Sequence, residues 1–279
     1  MSRPRQPLLV LQAGLILALA STTPNKANAD VVDVELILAV DVSLSMSPME
    51  LAIQRDGYVA ALTSEQVINA IRDGAHGKIA LAYVEWAGAT VQHIVVPWTI
   101  IETMEDAQNV AGQLSVHPPN SARRTSISGA LNFVGDMFAE SPHRGMKRVV
   151  DISGDGPNNQ GALVVGARDA LVEQGITVNG LPLMTDGGFS SVYDINYLDA
   201  YYRDCVIGGP GAFMIPVNDW SQFPEAVRRK LVLELAGGPE DGYYGSAAFP
   251  VIRASDSRPA DCEIGEKMWR DRSWMWDQR

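Results

Sequence analysis

Residues 36–40 read Leu-Ile-Leu-Ala-Val, five apolar positions with no polar alternation. Such a run predicts a central strand covered on both faces rather than a half-exposed one. Comparable runs recur at 79–84, 149–152, 176–183 and 212–217. Helical spacing fills most of the intervals between them. Ser47-Pro48-Met49-Glu50 is a capping box with proline at the first helical position, and it predicts a helix whose inner face uses Leu51, Tyr58 and Leu62. Ser64 caps a second helix, with Val67, Ile68 and Ile71 turned inward. Ile127, Leu131, Val134 and Phe138 fall on one helical face after Thr125, and Leu163, Ala167 and Leu171 do so after the turn Gly156-Pro157-Asn158-Asn159. A last helix is expected over about 223–236.

Strand and helix therefore alternate, which predicts an α/β fold with a doubly wound, mostly parallel central sheet and helices on both faces. One pair breaks the alternation. Residues 79–86 and 90–101 are separated only by Ala87-Gly88-Ala89, too short for a crossover, so they should pair as an antiparallel hairpin. Pro97 places the second of these strands at a sheet edge.

The two ends of the chain read differently from its middle. Arg3 and Arg5 precede an apolar run over 8–20, followed by Ala27-Asn28-Ala29, the pattern of a cleavable secretory signal over 1–29. The main domain is expected over 30–236. Residues 237–279 are rich in glycine, proline and polar side chains, and are expected to form an extension without a core of its own, packed on or tethered to the domain. Trp269, Trp274 and Trp276 near its end would pack back onto the domain. In an exported chain the two cysteines, Cys205 and Cys262, are expected to be bonded, which would fasten this tail. Residence in the periplasm or outside the cell follows from the signal.

Composition narrows the partners. The 279 residues are 46% hydrophobic and 20% charged, ordinary for a globular protein. Cleavage after Ala29 would remove Arg3, Arg5 and Lys26 and no acid, taking the formal charge of −11 down by three to −14. So acidic a product is poorly suited to nucleic acid or anionic lipid. No second stretch is long and apolar enough for a membrane helix.

In open parallel sheets the functional crevice lies beyond the carboxyl ends of the strands. Asp41, Ser43 and Ser45 stand at one such end, Asp155 at another, and Thr125 at the start of a helix. Residues two apart in an extended loop point the same way, so Asp-x-Ser-x-Ser can aim three oxygens at one ion. Two carboxylates and three hydroxyls make an all-oxygen shell suited to a hard cation. Singly, each residue also fits a helix cap or a turn. Together and in this order they point to a metal site.

"DVSLS", the threonine of "RRTSISGAL" and "SGDGPNN" resemble, in that order, the metal-ion-dependent adhesion site of von Willebrand factor type A domains, over roughly residues 32–236. The resemblance implies that Asp41, Ser43 and Ser45 form the first metal loop, with Thr125 in the second and Asp155 in the third. It also implies Mg2+ or Mn2+, with Ca2+ as an alternative, and a protein ligand whose Asp or Glu completes the coordination. The stretch "YYRDCVIGGPGAF" is similar to exported bacterial A-domain proteins. Two departures stand out: Arg123 and Arg124 precede the threonine where the family places glycine, and Gly154 precedes Asp155 where the third loop commonly reads Thr-Asp-Gly. Arg123 or Arg124 is expected to flank the site and guide an acidic partner toward an otherwise negative protein.

The expected function is therefore an exported binding module and not an enzyme. A magnesium-dependent phosphoryl hydrolase is the alternative from another class, but Ser43 stands where an aspartyl phosphatase wants a second aspartate. Phosphate-loop, His-Glu-x-x-His and Gly-x-Ser-x-Gly patterns are missing from the sequence. A third expectation is a structural protein whose metal only braces loops. His76, His93, His117 and His143 are scattered and are read as structural or surface groups.

Overall fold

The computed structural model describes residues 29–116, 120–185, 195–236, 250–254 and 260–276, with side chains of 272–276 left aside. The expected signal segment up to residue 28, His117, and the side chains of Trp274 and Trp276 lie outside the described residues.

The unbroken apolar run becomes the middle of β1 (Asp30–Asp41), whose last eight residues are all buried. Its side chains divide strictly by parity. Leu36, Leu38 and Val40 join one core with α1 (Pro48–Leu62), α2 (Glu65–Arg72), α3 (Met104–Val116) and α7 (Phe223–Leu235), while Ile37 and Ala39 join a second core with α4 (Ile127–Ala139) and α5 (Val164–Glu173). A strand covered on both faces has no room for polar alternation, which is why none is seen.

The remaining strands are β2 (Ile79–Trp86), β3 (Gln92–Ile101), β4 (His143–Gly154), β5 (Thr177–Pro182), β6 (Phe213–Met214) and β7 (Ile252–Arg253). The sheet order is β3-β2-β1-β4-β5-β6-β7. β1 is central and pairs in parallel with β2 on one side and β4 on the other, so strand order reverses beside it. That reversal is the switch point at which a crevice opens. β3 pairs antiparallel with β2 at the edge, as the short connection and Pro97 require. At the opposite edge the short β7 also runs antiparallel, against β6.

Helix starts follow their caps. Ser47 accepts from the Glu50 N–H while Glu50 accepts from the Ser47 N–H, closing the capping box. α5 differs from the periodic reading: Leu163 stands at its N-terminus, 51% exposed, and Val164 takes the buried place with Ala167 and Leu171. α3 was not anticipated. Thr103 and Asp106 cap it reciprocally, and Ala107, Val110, Ala111 and Leu114 form its buried face.

After β5 comes α6 (Leu198–Tyr201), which continues as a π-helical turn over Tyr202–Val206. The chain closes with α8 (Ile264–Trp276), fastened by the Cys205–Cys262 disulfide across a Cα separation of 5.5 Å.

Candidate metal centre

Asp41 ends β1 and is fully buried. Its Oδ1 accepts the Ser43 N–H at 2.7 Å, and its own carbonyl accepts from Gln54 of α1 at 2.9 Å. The loop therefore turns over a fixed carboxylate. Ser43 Oγ and Ser45 Oγ lie 2.9 Å apart, and Ser45 Oγ donates to Asp155 Oδ1 at 2.9 Å. First and third loops are thus joined through side chains across 110 residues of sequence.

The second loop is held on every side. Asn120 donates twice to Glu85 at the end of β2, and Glu85 is itself paired with Arg55 in the interior. Ala122 forms a bridge beside Ser43, exchanging backbone hydrogen bonds with Val42 and Leu44. Thr125 is buried: its N–H donates to Asn159 Oδ1 at 3.1 Å and its carbonyl accepts the Asn159 N–H at 2.9 Å. Asn158 Oδ1 accepts the Ser128 N–H at 2.9 Å, gripping the start of α4. "GPNN" is consequently more than the turn its composition suggests. Its two amides lock the second loop to the third, a role no spacing rule signals.

Both departures from the adhesion-site pattern have a structural counterpart. Arg124 adopts φ = 81°, a left-handed conformation that favours glycine, and its guanidinium lies over the ring of Trp269 in α8. Arg123 is exposed beside it. A Cβ at Gly154 would stand 2.9 Å from the Tyr202 hydroxyl and 3.0 Å from Asp41 Oδ2. The glycine therefore makes room for a tyrosine from the π-helical turn at the floor of the site. Tyr202 went unnoticed in the sequence because nothing local links it to β1.

Asp41 Oδ2 is buried without a hydrogen-bond partner among the described residues. Burial first, then the charge of Asp155, pushes Asp41 well above the usual carboxylate range, with hydrogen bonds from Ser43 and the Asp155 backbone offsetting part of this. Burial together with Asp41 and Asp155 likewise pushes the Tyr202 hydroxyl up. Two neighbouring carboxylates, one with an orphaned buried oxygen, and the hydroxyls of Ser43 and Ser45 make a donor set that fits a hard divalent cation, while Thr125 is tied to Asn159 through its backbone.

Among the described residues no histidine joins this set. His76 and His143 lie toward the opposite end of the sheet, where His143 pairs with Asp30, and His93 pairs with Glu85 in the hairpin. Among the described residues no group of three or more His, Cys, Asp or Glu side chains could hold a metal. A site of this type depends instead on hydroxyls.

The sheet order, the switch point and the loops gathered over it define a von Willebrand factor type A fold. More narrowly, the chain belongs to the family described as "Protein of unknown function (DUF1194)", which matches residues 31–239. Similar solved structures include proximal thread matrix protein 1 from the mussel byssus, 18% identical with a TM-score of 0.54, covering 75% of this chain and 49% of that one. A second structure of that mussel protein, 17% identical with a TM-score of 0.52 over 75% and 49% of the two chains, has a zinc-occupied adhesion motif. The pilus adhesin SpaC of Lactobacillus rhamnosus GG is 13% identical with a TM-score of 0.54, covering 75% and 31%. This chain thus spans about half of the mussel protein and under a third of the adhesin. No curated protein matches it by sequence. No helix among the described residues is long and apolar enough to cross a membrane.

Proposed function

We propose that this protein is an exported binding module that captures a carboxylate of a protein partner through a divalent cation. Asp41, Ser43, Ser45, Thr125 and Asp155 would hold the ion, with Mg2+ or Mn2+ the hard cations best matched to the donors. The cation would supply a Lewis-acidic position for an incoming Asp or Glu side chain. The observation that carries the reading is the buried Asp41 Oδ2, without a hydrogen-bond partner among the described residues, beside a Ser43–Ser45–Asp155 hydrogen-bond chain. Occupancy of the corresponding motif by zinc in the mussel protein supports it.

Within this reading each residue has a task. Ser45 holds Asp155 in place, Gln54 fixes the end of β1, and Asn159 presents the Thr125 loop. Arg123, exposed next to that loop, would attract an acidic partner to a protein of net charge −11. Arg124 is committed to Trp269 and contributes to loop shape.

Calorimetric titration with Mg2+ and Mn2+ tests the reading. Saturable binding is expected in the wild type, and its loss in folded Asp41→Ala and Asp155→Ala variants. Equal binding by all three proteins would refute the assignment.

A further inference from the structure

We infer that α8 is a strap that positions the second and third loops of the candidate metal centre, with Glu266 and Trp269 as its positioning residues. The inference rests in part on the metal-binding reading above, and it concerns a helix that follows the last strand of the sheet.

Four contacts converge. Cys262, two residues before α8, is bonded to the buried Cys205 in the π-helical turn. Glu266 Oε1 accepts from Asn158 Nδ2 at 2.7 Å. Gly265 lies so close to the Asn158 carbonyl that a Cβ there would overlap it, so the helix backbone itself presses on the third loop. Trp269 lies one turn beyond Gly265 and receives the Arg124 guanidinium on its ring.

The two gripped residues are those that shape the centre. Asn158 holds the Ser128 N–H at the start of α4, and its own N–H donates to the Tyr201 hydroxyl at 3.1 Å. Tyr201 and Tyr202 are consecutive, and Tyr202 fills the floor beside Asp41 and Gly154. The α6 and π-helical segment therefore presents Tyr201 to Asn158, Tyr202 to the site floor and Cys205 to the strap. Arg124 immediately precedes Thr125 in a left-handed conformation unfavourable for a side-chain-bearing residue. A cation–π contact with Trp269 is of comparable size and can hold that conformation. In this chain the strap thus does the work that a glycine before the threonine would do by backbone freedom alone.

Glu266→Ala, Glu266→Gln and Trp269→Ala separate this role from general stability. The first readout is amide hydrogen exchange at Thr125 and Ser128 in metal-free protein, with β1 and β2 amides as the internal control for folding. Exchange at these two amides should rise roughly tenfold in Glu266→Ala and Trp269→Ala, the size expected when one hydrogen bond or stacking contact is lost, with the control unchanged. Glu266→Gln keeps an acceptor for Asn158 and should restore protection. The second readout is Mn2+ titration, in which the two alanine variants should bind several-fold more weakly than wild type. Unchanged loop exchange in the alanine variants overturns the strap, as does undiminished Mn2+ affinity where the wild type binds. If the wild type binds no Mn2+, the metal reading fails and loop exchange alone decides the strap.

Discussion

Asp41 carries a burial penalty that its neighbours only partly offset, because one of its oxygens has no donor among the described residues and Asp155 repels it. Replacing it by asparagine keeps an acceptor for the Ser43 N–H and removes the charge. Asp41→Asn should therefore raise the melting temperature of metal-free protein while abolishing any rise on adding Mg2+, as read by thermal denaturation with and without the ion. The gathering of Asp41, Ser43, Ser45 and Asp155 at strand ends was legible from sequence because strand-end position and two-residue alternation are local properties. Tyr202, Asn158 and the φ of Arg124 were not, since each acquires its role from a segment far away in the chain.

Among the elements, α7 is fixed to the sheet by charge as well as by apolar contact. Lys230, fully buried, pairs with Asp151 of β4 at 2.7 Å and with Glu234 at 2.5 Å, and Asn179 of β5 donates to Glu234 at 2.8 Å. Burial pushes Glu234 up to about 7 from the ordinary 4.5, against the opposing pull of Lys230 and with help from Asp151. The folded protein thus keeps a proton that the unfolded chain has released between those values, so this group makes stability fall as pH rises from 4.5 through about 7. Urea denaturation at pH 5 and pH 8 should show that Glu234→Gln lacks this part of the fall, a relative gain on the order of 2–3 kcal/mol at the higher pH. Nothing in the amphipathic pattern of α7 announces the triad, because a buried lysine reads in sequence as a surface one. The hairpin and α1 were legible through connection length and a capping box. α3 had a comparable signal in Thr103 and Asp106, whereas α8 lies in a stretch whose glycine, proline and polar composition masks it and takes its place through contacts with Asn158, Arg124 and Cys205.

At the scale of the molecule, one covalent link joins the C-terminal helix to the domain across 57 residues. A loop of that length contributes roughly 4 kcal/mol in the chain-entropy view. Reduction, or a Cys205→Ser/Cys262→Ser pair, should lower unfolding free energy by about 2–4 kcal/mol, measured by denaturant titration with and without reductant. Protease cleavage after residue 236 should accelerate in the same samples, since the tail then depends on its non-covalent contacts.

The hairpin edge has a consequence for crowded surroundings. β3 is a ten-residue outer strand, long enough to recruit a strand from another molecule. Pro97 supplies no N–H, and the β2–β3 register slips around Ala82, so a second copy arriving there would meet an interrupted row of donors and acceptors. An acidic protein of net charge −11 is thereby discouraged from polymerising through its side.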